Sequence, residues 1–281
     1  MMEYPRVDGV LARRLEQVDV LDLEDWVRDA RADGSYPDAA STRIGGGIAV
    51  WFAPGHMVNS AFGLGLGRPV EKEEFAALVE FFGERGARAR VDACPYADRS
   101  LLRWLAESGF LATDFETVLV QPLPAPEPVP PATGVEVRLA TTSGDRALWA
   151  ELEARGFTED APADVHHVLA RSISARPGVL PFIGYLEGEP AGTGMLTIVD
   201  GVAMFNGDST LPSARGRGVQ GALLAERLRY ASATGCDLAM IEAAPGGVSE
   251  RNQLRAGFRV AYTRVTLEQP AIDTTPREGD S

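Results

Sequence analysis

The stretch that decides how this chain reads is ARGRGVQGALLAERL, residues 214–228. Its glycines at 216, 218 and 221 are spaced as G-x-G-x-x-G. Leu224 and Leu228 follow at i, i+4, with Leu223 beside them. Glycines giving way to an apolar helical stripe predict a tight loop running into a helix. A helix N-terminus carries unpaired N–H groups and a partial positive charge, and glycine lets an anion approach the backbone closely. Arg215 and Arg217 add formal charge beside those amides. The segment reads as a cradle for phosphate oxygens, and a glycine-rich helix start chosen for packing is the competing reading.

The flanks decide between kinds of cradle. Upstream, Val135–Leu139 reads as a strand, and residues 145–155 and 164–175 as helices. VLPFIGYL (179–186), AGTGMLTIV (191–199) and VAMFNGDS (202–209) read as strands, joined by the turns EGEP and Asp200-Gly201. Downstream come a helix to about Ala233, the strand DLAMIEA (237–243), a short helix from Ser249 and a last strand or hairpin. A dinucleotide fold needs its first glycine directly after a strand, inside a repeated parallel βαβ sheet. Asp237, about twenty residues past Gly218, would suit such a fold. Yet TLPSA separates strand from glycines, three antiparallel strands precede the loop, and one crossover follows it. The dinucleotide reading is rejected on that order.

The first half looks like a worn copy of the second. FFGERGARARVDACPYADRSLLRWLAESGF and YASATGCDLAMIEAAPGGVSERNQLRAGF share a helix ending near glycine, a short strand, a proline-marked loop, a short helix and a Gly-Phe pair. Gly86 to Gly109 spans 23 positions and Gly235 to Gly257 spans 22, which suggests a duplication. Between the copies, QPLPAPEPVPPATG carries six prolines and reads as a semi-rigid connector. The expected units are 1–121, the connector 122–133, 134–268 and a polar tail 269–281.

Composition narrows the class. The 281 residues carry 27 Lys and Arg against 40 Asp and Glu, a net charge of −13. That balance argues against a nucleic-acid binder, and an acidic surface weakly favours cationic substrates while also serving solubility. No apolar run approaches the roughly 18 residues of a membrane span, and no secretory core opens the chain, so the cytoplasm is the default expectation. Cys94 and Cys236 form no disulfide or metal framework and read as small buried residues. His166 and His167 receive no role.

Taken together, TLPSARGRGVQGALL after a hairpin, the SERNQLRAGF junction and the β-α order resemble the GNAT acyltransferases over roughly 135–267. The family's pyrophosphate motif, Q/R-x-x-G-x-G/A, reads here as Arg215-Gly216-Arg217-Gly218-Val219-Gln220. Gln220 stands where glycine or alanine is usual, with Gly221 next. The resemblance implies an α/β (α+β mixed sheet) fold of two tandem GNAT-like domains. Each would be a mostly antiparallel sheet, splayed at the cofactor site and flanked by helices. In the first copy FGLGLGRPV lacks the arginine before its glycines, so Gly63, Gly65 and Gly67 read as a plain turn.

The same resemblance implies acetyl-CoA as acyl donor and direct attack by a small-molecule primary amine in a ternary complex. Thr210 and Leu211 match strand-end positions beside pantetheine, and Ser249 and Asn252 could contact the cofactor or cap their helix. Gly207 is expected to bulge its strand. The family often places an acidic tyrosine four residues before the Gly-Phe glycine, where this chain has Gln253. Tyr262 is the nearest remaining phenol, as acid or as packing. Asp208 and Glu242 are the candidate bases or amine attractors, and Glu151, Glu153 and Asp164 fall on or beside helices that would line the acceptor cleft. Each also reads as an ordinary solvated charge. A catalytically inactive acyl-CoA-binding sensor or interaction module is the alternative, and association as a homodimer is left open.

Overall fold

The computed structural model describes residues 4–124, 132–156 and 163–270. In the first half, α1 (Gly9–Asp33) leads into β1 (Ala40–Ile44), β2 (Gly47–Trp51) and β3 (Ser60–Phe62). Then come α2 (Lys72–Gly83), β4 (Arg90–Ala93), α3 (Arg99–Glu107) and β5 (Leu111–Pro122). The second half runs β6 (Val135–Leu139), α4 (Ser143–Gly156), α5 (Ala163–Ala175), β7 (Val179–Leu186), β8 (Glu189–Val199) and β9 (Val202–Thr210). A 3₁₀ turn (Pro212–Ala214), α6 (Val219–Ala233), β10 (Leu238–Ala243), α7 (Val248–Arg255) and β11 (Arg259–Glu268) complete it. The element order expected from the sequence is present, and its final segment is one strand rather than a hairpin. Residues 125–131 of the expected connector and the tail beyond 270 lie outside the described residues.

The repeat has a physical basis in four helix ends. After α2, α3, α6 and α7, a left-handed glycine (Gly86, Gly109, Gly235, Gly257) sits one position before a residue whose amide reaches back five positions. Those pairs are Ala87 to Phe82, Phe110 to Leu105, Cys236 to Ala231 and Phe258 to Gln253. Each glycine amide reaches back three, to Gly83, Ala106, Ser232 and Leu254 respectively. This is the Schellman closure, which satisfies terminal carbonyls and turns the chain toward the next strand.

Eleven strands form one sheet in the order β1-β2-β3-β4-β11-β5-β10-β9-β8-β7-β6. The pairs β3·β4 and β9·β10 are parallel and the others antiparallel. The order contains an exchange. β4 does not pair with β5, the strand that follows it after α3; it pairs with β11 of the other half. Reciprocally, β10 pairs with β5. The two exchanged strands pair with each other, Arg264 opposite Glu116.

That exchange carries a buried ionic centre. The Arg264 guanidinium, 1% exposed, meets Glu16 at 2.6 Å, Glu116 at 3.7 Å, and Asp19 and Glu242 at contact distance. Glu16 also accepts from the Tyr262 hydroxyl at 2.9 Å. Burial raises the carboxyls of Asp19 and Glu242, and the Glu242 charge, with burial second, pushes Glu116 up to about 8. Removing one member of such a cluster leaves the rest uncompensated, so it fixes how the halves meet.

Helices cover both faces. α6 packs through Val219, Leu223, Leu224 and Leu228 on Phe182, Phe205, Ile241 and Phe258. α4 and α5 cover the opposite face around Trp149, Leu152, Ala170 and Met195, and α1 continues that layer through Leu11 and Leu15, which pack with Val202, Met204 and Met240. Cys94 and Cys236 are buried free thiols. Among the described residues, no helix is long and apolar enough to cross a membrane.

Candidate functional site

β9 and β10 run together from Val202 and Leu238 to Phe205 and Ile241, then part. The parting has a local cause. Thr193 faces Ser209 and Met195 faces Asn206, so β9 carries an extra residue there. Gly207 sits at the bulge with φ +62°, and a Cβ on it would lie 2.7 Å from the Trp149 ring. The Thr193 hydroxyl ties down the bulge by donating to the Gly207 carbonyl at 2.9 Å.

Beyond the parted strands lies a cavity of about 1350 Å³. Its walls are the end of β9 (Asp208, Ser209, Thr210), the loop and first turns of α6, and one side of α7. Gly218 is the N-cap residue of α6 at φ +84°, and no acidic residue occupies the first turn. Gly216 is left-handed as well, at φ +74°. An L side chain at either position would be strained. The first-turn amides of Val219, Gln220 and Gly221 lack intrahelical acceptors by the geometry of any helix start, and all three residues line the cavity. The Gln220 side chain turns aside to donate to the Ser209 carbonyl at 2.5 Å, so its departure from glycine braces the β9 end.

Of the residues expected to hold a cofactor, Thr210, Arg215, Gly216, Gly218, Val219, Gln220, Gly221, Ser249 and Asn252 line this one cavity. Arg217 instead pairs with Glu187 at 2.7 Å. Leu211 packs beside the α4 cluster, its amide bonded to the Ala191 carbonyl at 2.9 Å. Three buried polar atoms on the lining residues have no hydrogen-bond partner: Thr210 Oγ1, Gln121 Oε1 and Gln253 Oε1. An orphaned buried acceptor or hydroxyl is costly. Together with the open amides they fit a ligand that carries both anionic oxygens and amide groups.

Gln121 was not legible as a site residue. It belongs to β5 of the first half and reaches the cavity only because of the strand exchange.

The three candidate catalytic residues are not gathered in one place. Asp208 lines the cavity but meets the guanidinium of Arg227, a fully buried residue that also donates to the Met195 carbonyl at 3.1 Å. Glu242 and Tyr262 belong to the ionic centre around Arg264. Burial, then the Glu16 charge, raises the Tyr262 phenol. Such a phenol holds its proton and donates it to Glu16.

A parted β9/β10 pair followed by a glycine loop and a helix start without a side-chain cap defines an α/β fold with an anion-binding helix terminus at its cavity. Residues 146–258 match the model of the acetyltransferase (GNAT) family, so the second half carries a domain of that family. The fold is shared with a GCN5-related N-acetyltransferase from Kribbella flavida (TM-score 0.62, 18% identity, covering 86% of this chain and 94% of that one). It is also shared with a tandem GNAT protein from the clavulanic acid biosynthesis pathway (TM-score 0.55, 17% identity, covering 80% and 74%). A third, a GCN5-related N-acetyltransferase from Sphaerobacter thermophilus, aligns with TM-score 0.52 and 21% identity over 66% of this chain and 62% of that one. No curated protein matches the sequence. The chain is a mixed α/β protein whose second half carries a GNAT-family domain and whose overall fold is shared with a tandem GNAT protein, a fold that supports acyl transfer.

Proposed function

We propose that this protein is an N-acetyltransferase that moves the acetyl group of acetyl-CoA to a primary amine of a small molecule. One observation carries the reading: the α6 N-terminus, free of any acidic side chain in its first turn, opens into a cavity of about 1350 Å³ that reaches the parted strands. The amides of residues 219–221, with Arg215, would hold the diphosphate. Thr210, Asn252 and Gln253 would meet the amide groups of the pantetheine arm. Backbone N–H groups at the β9 bulge would polarise the thioester carbonyl, where negative charge grows as the amine attacks. Both substrates bind together, and proximity supplies much of the rate. A cytoplasmic, acidic protein acting on cationic amines is consistent with the net charge of −13.

Thermal unfolding with acetyl-CoA, coenzyme A and NAD tests the carrier. The two coenzyme A species should raise Tm and NAD should not. Thiol release with a panel of amines then tests transfer. A sensor or interaction module is the second reading, favoured by the amide Gln253 at the position where the family often has tyrosine. A raised Tm with no thiol release from any amine would select it.

A further inference from the structure

The cavity reaches both faces of the sheet. Its phosphate end lies on the α6 side, whereas Gly156 and Ser209 in its wall belong to the α4 side. An amine attacking a carbonyl held between β9 and β10 from the side opposite α6 therefore arrives beneath α4.

The contacts of α4 settle which of its residues face the bulge. Trp149 packs against Gly207, and a Cβ on Gly156 would fall 2.5 Å from the Ser209 Cβ. The Ser209 hydroxyl lies 3.5 Å from the Leu152 carbonyl. Trp149, Glu153 and Gly156 recur at i, i+4 and i+7 and share one face of the helix. Glu153 thus lies between two contacts with the bulge. It is 8% exposed, and its Oε2 has no hydrogen-bond partner. The helix around it is packed through apolar side chains, Trp149, Ala150 and Leu152, against Ala170. Burial pushes the Glu153 carboxyl up to about 7. The other acids near the parted strands are already engaged: Asp208 by Arg227, Glu242 by Arg264.

We propose that Glu153 is the proton acceptor of the transfer reaction, its carboxylate taking the proton of the incoming ammonium group. This assignment rests on the transferase reading and adds the residue that reading lacks. The ammonium gives one proton to Glu153, and the neutral amine attacks the thioester carbon. The N–C bond forms, the C–S bond breaks, and sulfur leaves with the electron pair. The sulfur takes up the proton that nitrogen sheds on becoming an amide. Glu153 returns its own proton to water, so each turnover releases one proton. Among the described side chains, the titratable and charged groups on the elements packed against α4 are His166, His167 and Arg171 on α5, Asp208 on β9 with Arg227 behind it, Glu189 on β8 and Tyr185 on β7.

The test is Glu153→Gln, which keeps shape and removes the base, with Glu153→Asp as a second variant that keeps a carboxyl. Acetyl-CoA affinity, Tm and the pH dependence of kcat/KM are measured with spermidine, free lysine and a peptide N-terminus as acceptors. The wild type should show a rate that rises with pH to a midpoint near 7. Glu153→Gln should bind acetyl-CoA as the wild type does, with Tm no lower, while kcat/KM falls about 100-fold or more and loses that limb. Glu153→Asp should recover part of the rate. A Glu153→Gln enzyme with the wild-type rate and profile overturns the assignment. So does a loss shared equally by both variants together with acetyl-CoA affinity, which marks a structural role. A wild type that binds acetyl-CoA and releases thiol with no amine removes the transferase reading, and this assignment with it.

Discussion

The two helix starts that follow β3 and β9 have the same plan and opposite outcomes. Both follow a run of left-handed glycines: Gly63, Gly65 and Gly67 before α2, Gly216 and Gly218 before α6. At α2 the third helical residue is Glu74, whose carboxylate accepts from the amides of Glu71 (3.1 Å) and Gly45 (3.2 Å) and pairs with Arg68 at 2.6 Å. Arg68 holds that carboxyl down at about 2. The first half has supplied its own anion. At α6 the third helical residue is Gly221, with no atom within 4 Å of where its Cβ would be. What separates the closed helix start from the open one is the acidic start of α2, with Glu71 at its N-cap and Glu73 and Glu74 in its first turn, where α6 has Gly218 and no acid.

The same contrast continues along the paired helices α3 and α7. Four residues before the terminal glycine, α3 has Leu105 and α7 has Gln253; eight before, Leu101 and Ser249. Leu101 and Leu105 are buried with Phe75, Phe82 and Phe110 in a filled core. Gln253, itself buried, and Ser249 line the cavity instead. A duplicated frame thus keeps its packing in one copy and its cavity in the other.

The comparison can be broken at several points. The greatest effect is expected from separating the halves. Residues 132–270 alone would leave β10 and β11 without β5, so their circular dichroism should show no cooperative melt; adding residues 4–124 should restore one. A separated second half that melts cooperatively by itself would show the exchange to be dispensable.

Next in size is Leu105→Gln, which buries an amide in the filled core and should cost about 3 kcal/mol in urea unfolding. The reciprocal Gln253→Leu should leave stability unchanged or higher, since it removes an orphaned oxygen, yet weaken coenzyme A binding in calorimetry. Equal destabilisation by both would erase the distinction between filled and open copies.

Gly221→Glu recreates at α6 the resident anion of α2. It should lower coenzyme A affinity about 100-fold, some 2.7 kcal/mol. It should also raise Tm by about 2–4 °C, because a helix gains roughly 1 kcal/mol when glycine is replaced by a good helix former. Loss of binding together with gain of stability is a pairing that simple damage to the fold would not produce. The smallest effect belongs to Arg215→Glu: about tenfold weaker binding at low salt, narrowing as ionic strength rises, because the contact is exposed. A salt-independent loss would point away from a charge contact.

Much of this was legible in the sequence. The punctuation by glycine and proline located the elements, since a Schellman end or a type of turn is decided by a few adjacent residues. The partners of β5 and β11 were not legible. ETVLVQ and YTRVTL alternate in the same way whichever strand lies beside them, and period-two patterning records a face, not a neighbour. For that reason Gln121 was missed, and Glu242 and Tyr262 looked closer to the cavity than to Arg264. Asp208 looked free because Arg227 lies 19 positions away, on the far side of the loop. Glu153 read as one charge on an amphipathic helix; only the packing of α4 on α5 and β9 buries it.

The reciprocal placement of β5 and β11 also orders events in time. A ribosome makes β5 long before β11, yet β11 belongs in the middle of the finished sheet, between β4 and β5. Until residue 268 has emerged, one edge of β4 and one edge of β5 have no permanent neighbour, and an unpaired strand edge invites association with other chains. The nascent first half must therefore be shielded or kept loose during synthesis, and β11, the later of the two exchanged strands, acts as the key that closes both lobes at once.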